Sequence, residues 1–406
     1  MSQTNLRSAD AVTYMGEEAV AFGTLAASMQ RCTPIADSVE CSLMQDELEN
    51  DAESIYLYDK QTTIQGLKSG TVKCGYYAKA LSGRLTSSTL TVPVLYNVLR
   101  CLVGGMSPAS GATVGAVASS PAGTATAVDV VSAANINEGE FITGIVSGVT
   151  EIGRVRSKAT NTLTMIPGFS GVLTSASAVG SCITLYPDES NTKTISVQHG
   201  KVGYASEQYQ FLGCTGGFSL RIANGQLLRF DLDLMAADWS QGALSLTTTT
   251  GTDSMGAPFL CGNQKVLLQA AATGAPTQFV IDDVTIEING GMSHIPAHGG
   301  TQGKVGVMRT GQRLACVIKV KIRADVDWQT NWSAQSLYQF FYSATSGSGT
   351  SRQHLAFNAP RCQIVGNPVR TKLSENRVGY ELTLHPQIDP SLTTALLRAP
   401  WAIGIG

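Results

Sequence analysis

The chain has 406 residues, enough for two or three domains, and its 43% hydrophobic content is ample for ordinary cores. Only 14% of residues are charged and glycine numbers 42, so small and hydroxylated side chains cover much of the surface. That balance suits an all-β protein largely covered by neighbours, or some secreted proteins, and a net charge of −2 argues against a dedicated nucleic-acid binder.

Nine cysteines are scattered without a CxxC or a Cys/His cluster and read as reduced, buried thiols. The start, MSQTNLRSADAVTYM, has no apolar signal-peptide core. No run of about 18 apolar residues offers a membrane span. The expectation is a chain made in the cytoplasm, without membrane insertion.

Residues 1–37 show little periodicity and read as an extended arm, ordered against a partner. The segment TIQGLKSGTVKCGYYAKAL (63–81) alternates as a strand does. A helix follows over 92–105, with Thr91 as N-cap, Pro93 in the first turn and Gly104 as its stop. The Gly-, Ser-, Ala- and Pro-rich stretch 104–123 reads as a linker. Short strands within 126–144, 151–167 and 181–187 then describe a small β-domain, set between the helix and the strand KTISVQ (193–198). In FSLRIANGQLLRFDLDL (218–234) a three-residue loop, Ala223–Asn224–Gly225, pairs 222 with 226 and 220 with 228. That places Phe218, Leu220, Ile222, Phe230, Leu232 and Leu234 on one face, with Gly225 in the left-handed position.

A second linker, 247–258, precedes a further series of strands: FVIDDVTIEIN (279–289), RLACVIKVKIRADVDW (313–328), RCQIVGNPVRT (361–371) and RVGYELTL (377–384). Between the second and third of these, SAQSLYQFFYSATSG (333–347) reads as a helix capped by Ser333, with Leu337, Phe340 and Phe341 on its apolar face. Both halves of the chain therefore show one order: strands, a short helix, strands. The expected organisation is an arm (1–37), a first module (38–106 and 191–246) interrupted by a decoration (107–190), a linker (247–258) and a second module (259–406).

Candidate chemistry is sparse. Asp231 and Asp233 share a strand face, as a carboxylate pair would, but alternation alone predicts a solvated polar face. Asp282 and Asp283 get the same reading. His294 and His298, in GGMSHIPAHGG, sit four apart in what reads as a loop, without a third ligand nearby. GLKSGT (66–71) lacks the GK[ST] ending of a phosphate loop. There is no GxSxG. The basic strand Lys319–Lys321–Arg323 reads as meeting acidic residues on a neighbouring subunit, or water.

Taken together, EEAVAFGT (17–24), the segment 63–81, the helix LYNVLRCLVGG and the stretch KTISVQHGKVGYASEQYQFLGCTGGFSLRIANGQLLRFDLDLMAADW (193–239) resemble the tail tube proteins of long-tailed, siphovirus-like bacteriophages. The resemblance spans about 17–105 and 193–388. It implies a mainly β fold: two tail-tube-type β-sandwich modules, each with a short flanking α-helix, and an inserted small β-barrel or immunoglobulin-like domain on the outside. It implies a non-enzymatic virion protein without cofactors. Its inner sheets join edge to edge into a ring, and the rings stack into a conduit for genome ejection. Its partners would be further copies of itself, in trimeric pseudo-sixfold or hexameric rings, with the tail terminator, tape measure and distal tail proteins, and double-stranded DNA in passage. Lumen-lining candidates under this resemblance are Asp231 and Asp233, with Asp283, Thr285 and Glu287 from the equivalent strand of the second module. Two rival readings stand beside it. A carbohydrate-binding or receptor-contacting β-protein would cluster aromatic residues on an exposed loop face. A β-sandwich hydrolase would need a convergent acid, base or metal set.

Overall fold

A computed structural model gives the fold. It describes residues 11–19, 21–48, 64–81, 92–107, 114–118, 123–246, 255–270, 281–309, 315–323, 327–373, 377–392 and 394–406. The chain is mainly β. Strands β1 (Ala11–Glu17), β2 (Gln30–Cys32), β3 (Glu40–Leu48), β4 (Ile64–Tyr77) and β5 (Lys79–Leu81) precede helix α1 (Val94–Val103), which runs into β6 (Gly104–Ser107). A separate group holds β7 (Val114–Ala116), β8 (Ala127–Asp129), β9 (Phe141–Val146), β10 (Val149–Ala159), β11 (Thr162–Met165) and β12 (Ala178–Ser181). Next come β13 (Ile183–Pro187), β14 (Ile195–Lys201), β15 (Gln208–Ala223), β16 (Arg229–Ala236) and β17 (Asp238–Gln241). The second half begins with β18 (Met255–Pro258), β19 (Leu260–Ala270), β20 (Ile281–Asn289), β21 (Met292–Thr301), β22 (Lys304–Arg309) and β23 (Ala315–Arg323). Helix α2 (Trp328–Ser333), β24 (Leu337–Ser346), β25 (Gln353–Ile364), β26 (Val369–Lys372), β27 (Val378–Pro386), α3 (Ala395–Arg398) and β28 (Ala402–Ile405) complete it.

Three antiparallel runs form the main body. The first is β3–β4–β16–β15–β20–β23–β27–β26. The second, β2–β1–β14–β15–β17, uses the first half of β15. The third is β19–β24–β25–β28–β13–β6. Strand β15 changes partners in its middle, at Gly213, whose φ of +63° suits glycine and whose missing Cβ leaves room for Ala237 and the Phe22 ring. Gly213 and Cys214 thus lie inside a strand, where the chain passes from one run to another.

Helix α1 packs between these runs and buries eight of its ten residues, among them Leu95, Val98, Leu99 and Leu102. Pro93 is its N-cap, and Thr91, the expected cap, lies outside the described residues. Gly104 ends the helix at φ +100°, where a Cβ would collide with the Asp188 carbonyl. Both charged partners of Glu17 come from nearby: Arg100 on the helix and Lys193 before β14.

Residues 114–181 build a six-stranded sheet, β7–β12–β9–β10–β11–β8, around its own core of Val128, Ile142, Leu163 and Phe169. Its end strands meet only at one isolated bridge, Val117 with Val130, and no sheet among the described residues closes into a barrel. The flanking β6 and β13 belong to the third run rather than to this sheet. The group is also more than an appendage. Phe141, Ile152 and Cys182 pack with Phe341, Ala356 and Ala402 of the second half. The fully buried Arg154 guanidinium donates to the Gly139 and Leu396 carbonyls and to Asn358 Oδ1, at 3.0–3.1 Å.

Three expectations are corrected. Residues 337–346 of the expected second helix form strand β24, and helix α2 ends where that expected helix begins. Asp327, not Ser333, caps α2, accepting from the Gln329 and Thr330 backbone N–H groups. Strand β24 is buried on both faces: Phe340, Tyr342 and Ala344 enter the main core, and Phe341 faces the 114–181 group. A strand with two apolar faces has no alternation, so its pattern passes for a helix. Second, Ala11–Glu17, in the expected arm, is a largely buried strand paired on both sides. Third, the hairpin keeps the expected parity and the left-handed Gly225, φ +75°, but pairs Leu220 with Phe230 rather than 228. The loop is wider because residues 225–228 bond instead to Phe259 and Cys261.

Candidate functional site: a charged sheet face

The first run is two-sided, as strand alternation requires. Its inner face carries Cys74, Phe230, Leu220, Ile286, Ile318 and Leu382, each nearly or wholly buried. The opposite face lines a broad trough of about 2050 Å³, well beyond the roughly 300–1,000 Å³ of an ordinary small-molecule pocket.

All five lumen candidates fall on this face. Register places them in rows across the strands. Asp231 lies opposite Ser219, which lies opposite Glu287. Arg229 lies opposite Arg221, then Thr285, then Lys319. Asp233 lies opposite Lys73 of β4, which lies opposite Glu40 of β3. Asp283 lies opposite Lys321. The acids are thus interleaved with bases. Arg229 Nε donates to Asp231 Oδ1 at 2.5 Å, while Arg221 Nε contacts Oδ2 at 2.9 Å off the line of a hydrogen bond. Lys319 meets Glu287 at 2.8 Å and Lys321 meets Asp283 at 3.5 Å. The sequence pattern identified the face of each strand. The hairpin pattern already put Arg221 and Arg229 on the face of Asp231 and Asp233; what it missed is the register that brings Lys73 and Glu40 beside Asp233, because those cross-strand neighbours are far apart in sequence.

Beside this face, Glu18 holds the segment 17–24 to the body. It is 7% exposed, and its carboxylate accepts from the Gly23 and Gly213 N–H groups and from the Thr194 and Ser196 hydroxyls. Four donors satisfy a buried charge, so the role is structural.

The remaining candidates do not converge. His294 and His298 lie in strand β21 rather than a loop. The first is half-buried with Nε2 on the Gly213 carbonyl, and the second is exposed. Residues four apart along a strand are about 13 Å apart and cannot share a metal. Residues 66–71 are part of β4. Among the described residues no group of three or more His, Cys, Asp or Glu is placed to hold a metal. Eight of the nine cysteines are buried, and burial pushes the Cys74 and Cys101 thiols up to about 12, far from a reactive thiolate. Trp328 and Trp401 are buried, while Trp239 donates its indole N–H to the Met44 carbonyl, so these three form no exposed aromatic platform. No helix among the described residues is long and apolar enough to cross a membrane.

No protein-family model matches the chain, and comparison with characterised proteins finds no significant relative.

Proposed function

We propose that this chain is a non-enzymatic structural subunit that assembles into stacked rings, as a tail tube protein of long-tailed bacteriophages does, with the charged trough lining the conduit. One observation carries the reading: the strand pairing of the first half recurs in the second. The order β3–β4–β16–β15 has its counterpart in β20–β23–β27–β26. Behind each, β1–β14–β15–β17 is matched by β19–β24–β25–β28. Helices α1 and α2 take the same place in both series. Where the first series carries β6 to β13, the second has a three-residue turn, Ala334–Ser336, which supports reading 114–181 as an insertion.

Two tandem copies of one β-unit, joined side by side through β15 and β20, make a sheet that grows by adding units. A chain with two units would need three copies for a pseudo-sixfold ring. The self-paired charges suit a conduit. Each phosphate neutralised by a cation adds counterion-release affinity, and here Arg221, Arg229, Lys319 and Lys321 are occupied by carboxylates of their own face. DNA would pass without being held. Negative-stain microscopy of purified protein tests the reading: stacked rings of three- or sixfold symmetry are expected, and a strictly monomeric species at high concentration would overturn it.

A further inference from the structure

We infer that strand β26 of one copy pairs antiparallel with strand β3 of a second copy, extending the first run from chain to chain. This rests on the ring reading and names its contact.

Both strands stand at the ends of the first run. Among the described residues β3 pairs only with β4, and β26 only with β27. An open edge of this kind is a template for another strand. The chain itself contains the pattern for filling it. At the internal junction, the last strand of the first unit, β15, meets the first strand of the second, β20, antiparallel over six residue pairs. By position in the repeated order, β26 corresponds to β15 and β3 to β20. Strands β3 and β20 also run in the same direction, so β26 meeting a second copy's β3 repeats the internal junction with the same polarity.

The two edges also carry opposite charge, on different faces of the sheet: Arg370 and Lys372 lie opposite Tyr380 and Val378 on the core side, and Glu40 lies on the trough side. At the internal junction a basic strand pair, with Arg221 and Arg229, faces an acidic strand with Asp283 and Glu287. At the open edges β26 carries Arg370 and Lys372, and β3 carries Glu40 and Asp46, all exposed. Glu40, Asp46 and Lys372 make no salt bridge with other described residues. Exposed apolar side chains mark the same two edges: Val369 and Val378 are 61% and 58% exposed, and Met44 is 45% exposed. Opposite charge flanking apolar edge residues fits a heterologous, head-to-tail contact, which closes into a ring.

Charge reversal tests the assignment. Arg370→Glu with Lys372→Glu is expected to raise the concentration needed for ring formation by about tenfold or more, and Glu40→Lys with Asp46→Lys to do the same, with circular dichroism unchanged. Combining all four should restore assembly. Rings that form normally in either double variant, or double variants not rescued by the combination, overturn this edge pairing while leaving the ring reading intact. Wild-type protein that forms no rings overturns both. As a second measurement, copies carrying Val369→Cys mixed with copies carrying Ser42→Cys, both on a Cys41→Ser background, should yield a bis-maleimide cross-linked dimer. Neither should do so alone. Cross-linking of either variant with itself, or none in the mixture, contradicts the head-to-tail pairing.

Discussion

The two four-stranded groups of the first run share their strand order but not their surroundings. In β3–β4–β16–β15 the outer member β15 is paired, and in β20–β23–β27–β26 the outer member β26 has no further strand beside it among the described residues. The first group has a helix of ten residues with eight buried, and the second a helix of six with only Trp328 buried. The second group packs through Ile286, Ile318 and Leu382 into one core with Phe340 and Phe357 of the third run, and that run is covered on its far face by the 114–181 sheet, through Phe341 and Arg154. The two halves are thus covered differently, by a long buried helix in the first and by an added sheet behind the third run in the second. What stays constant is the strand order and the face that it presents, as expected if that face carries the function.

Ile286, fully buried on β20 at the junction of the two groups, offers the largest break. Ile286→Asp puts an unpaired charge in the shared core and should cost more than about 4 kcal/mol. Both halves should lose structure in one thermal transition; separate transitions would show that the halves are independent. Replacing 108–182 by a short turn like Ala334–Ser336 comes next. It uncovers Phe341, Ala356 and Ala402, so a loss of about 2–5 kcal/mol by denaturant unfolding is expected, with rings still able to form. Unchanged stability would mean that the sheet contributes nothing to the second half.

Acid should weaken the first half. Burial alone would raise the Glu17 pKa, but the Lys193 hydrogen bond and the Arg100 charge more than offset it and hold the carboxyl below 4.5. Burial lowers the His199 and His294 values below 6.5. Groups with depressed folded values contribute fully above their unfolded values and lose that contribution as pH falls through the folded ones. Melting temperature should therefore decline below about pH 6.5 as the two histidines are forced to charge, and again below 4.5 as Glu17 is protonated. His199→Gln should flatten the first decline; an unchanged profile would remove His199 from the account. The smallest effect is expected from Lys319→Ala, which breaks an exposed ion pair with Glu287 and should cost about 1 kcal/mol or less.

Much of this fold was legible in the sequence where strands have one wet face. The alternation in 218–234, 281–289 and 315–323 identified both the strands and the face bearing Asp231, Asp233, Asp283, Thr285 and Glu287. Legibility failed where both faces are covered. Leu337–Ser346 is sandwiched between two cores, and Ala11–Glu17 is buried on both faces, with Met15 in the main core and Val12 and Tyr14 in a smaller cluster, so neither shows the period that betrays a strand. It failed again at register between distant strands, since only the fold brings Lys73 and Glu40 beside Asp233.

Native mass spectrometry of a single isolated ring tests the tandem-unit account most directly. Three copies of the 42.7 kDa chain are expected, two units from each completing six. A ring of six copies, or a mass of one copy under conditions where the protein is concentrated, would contradict it.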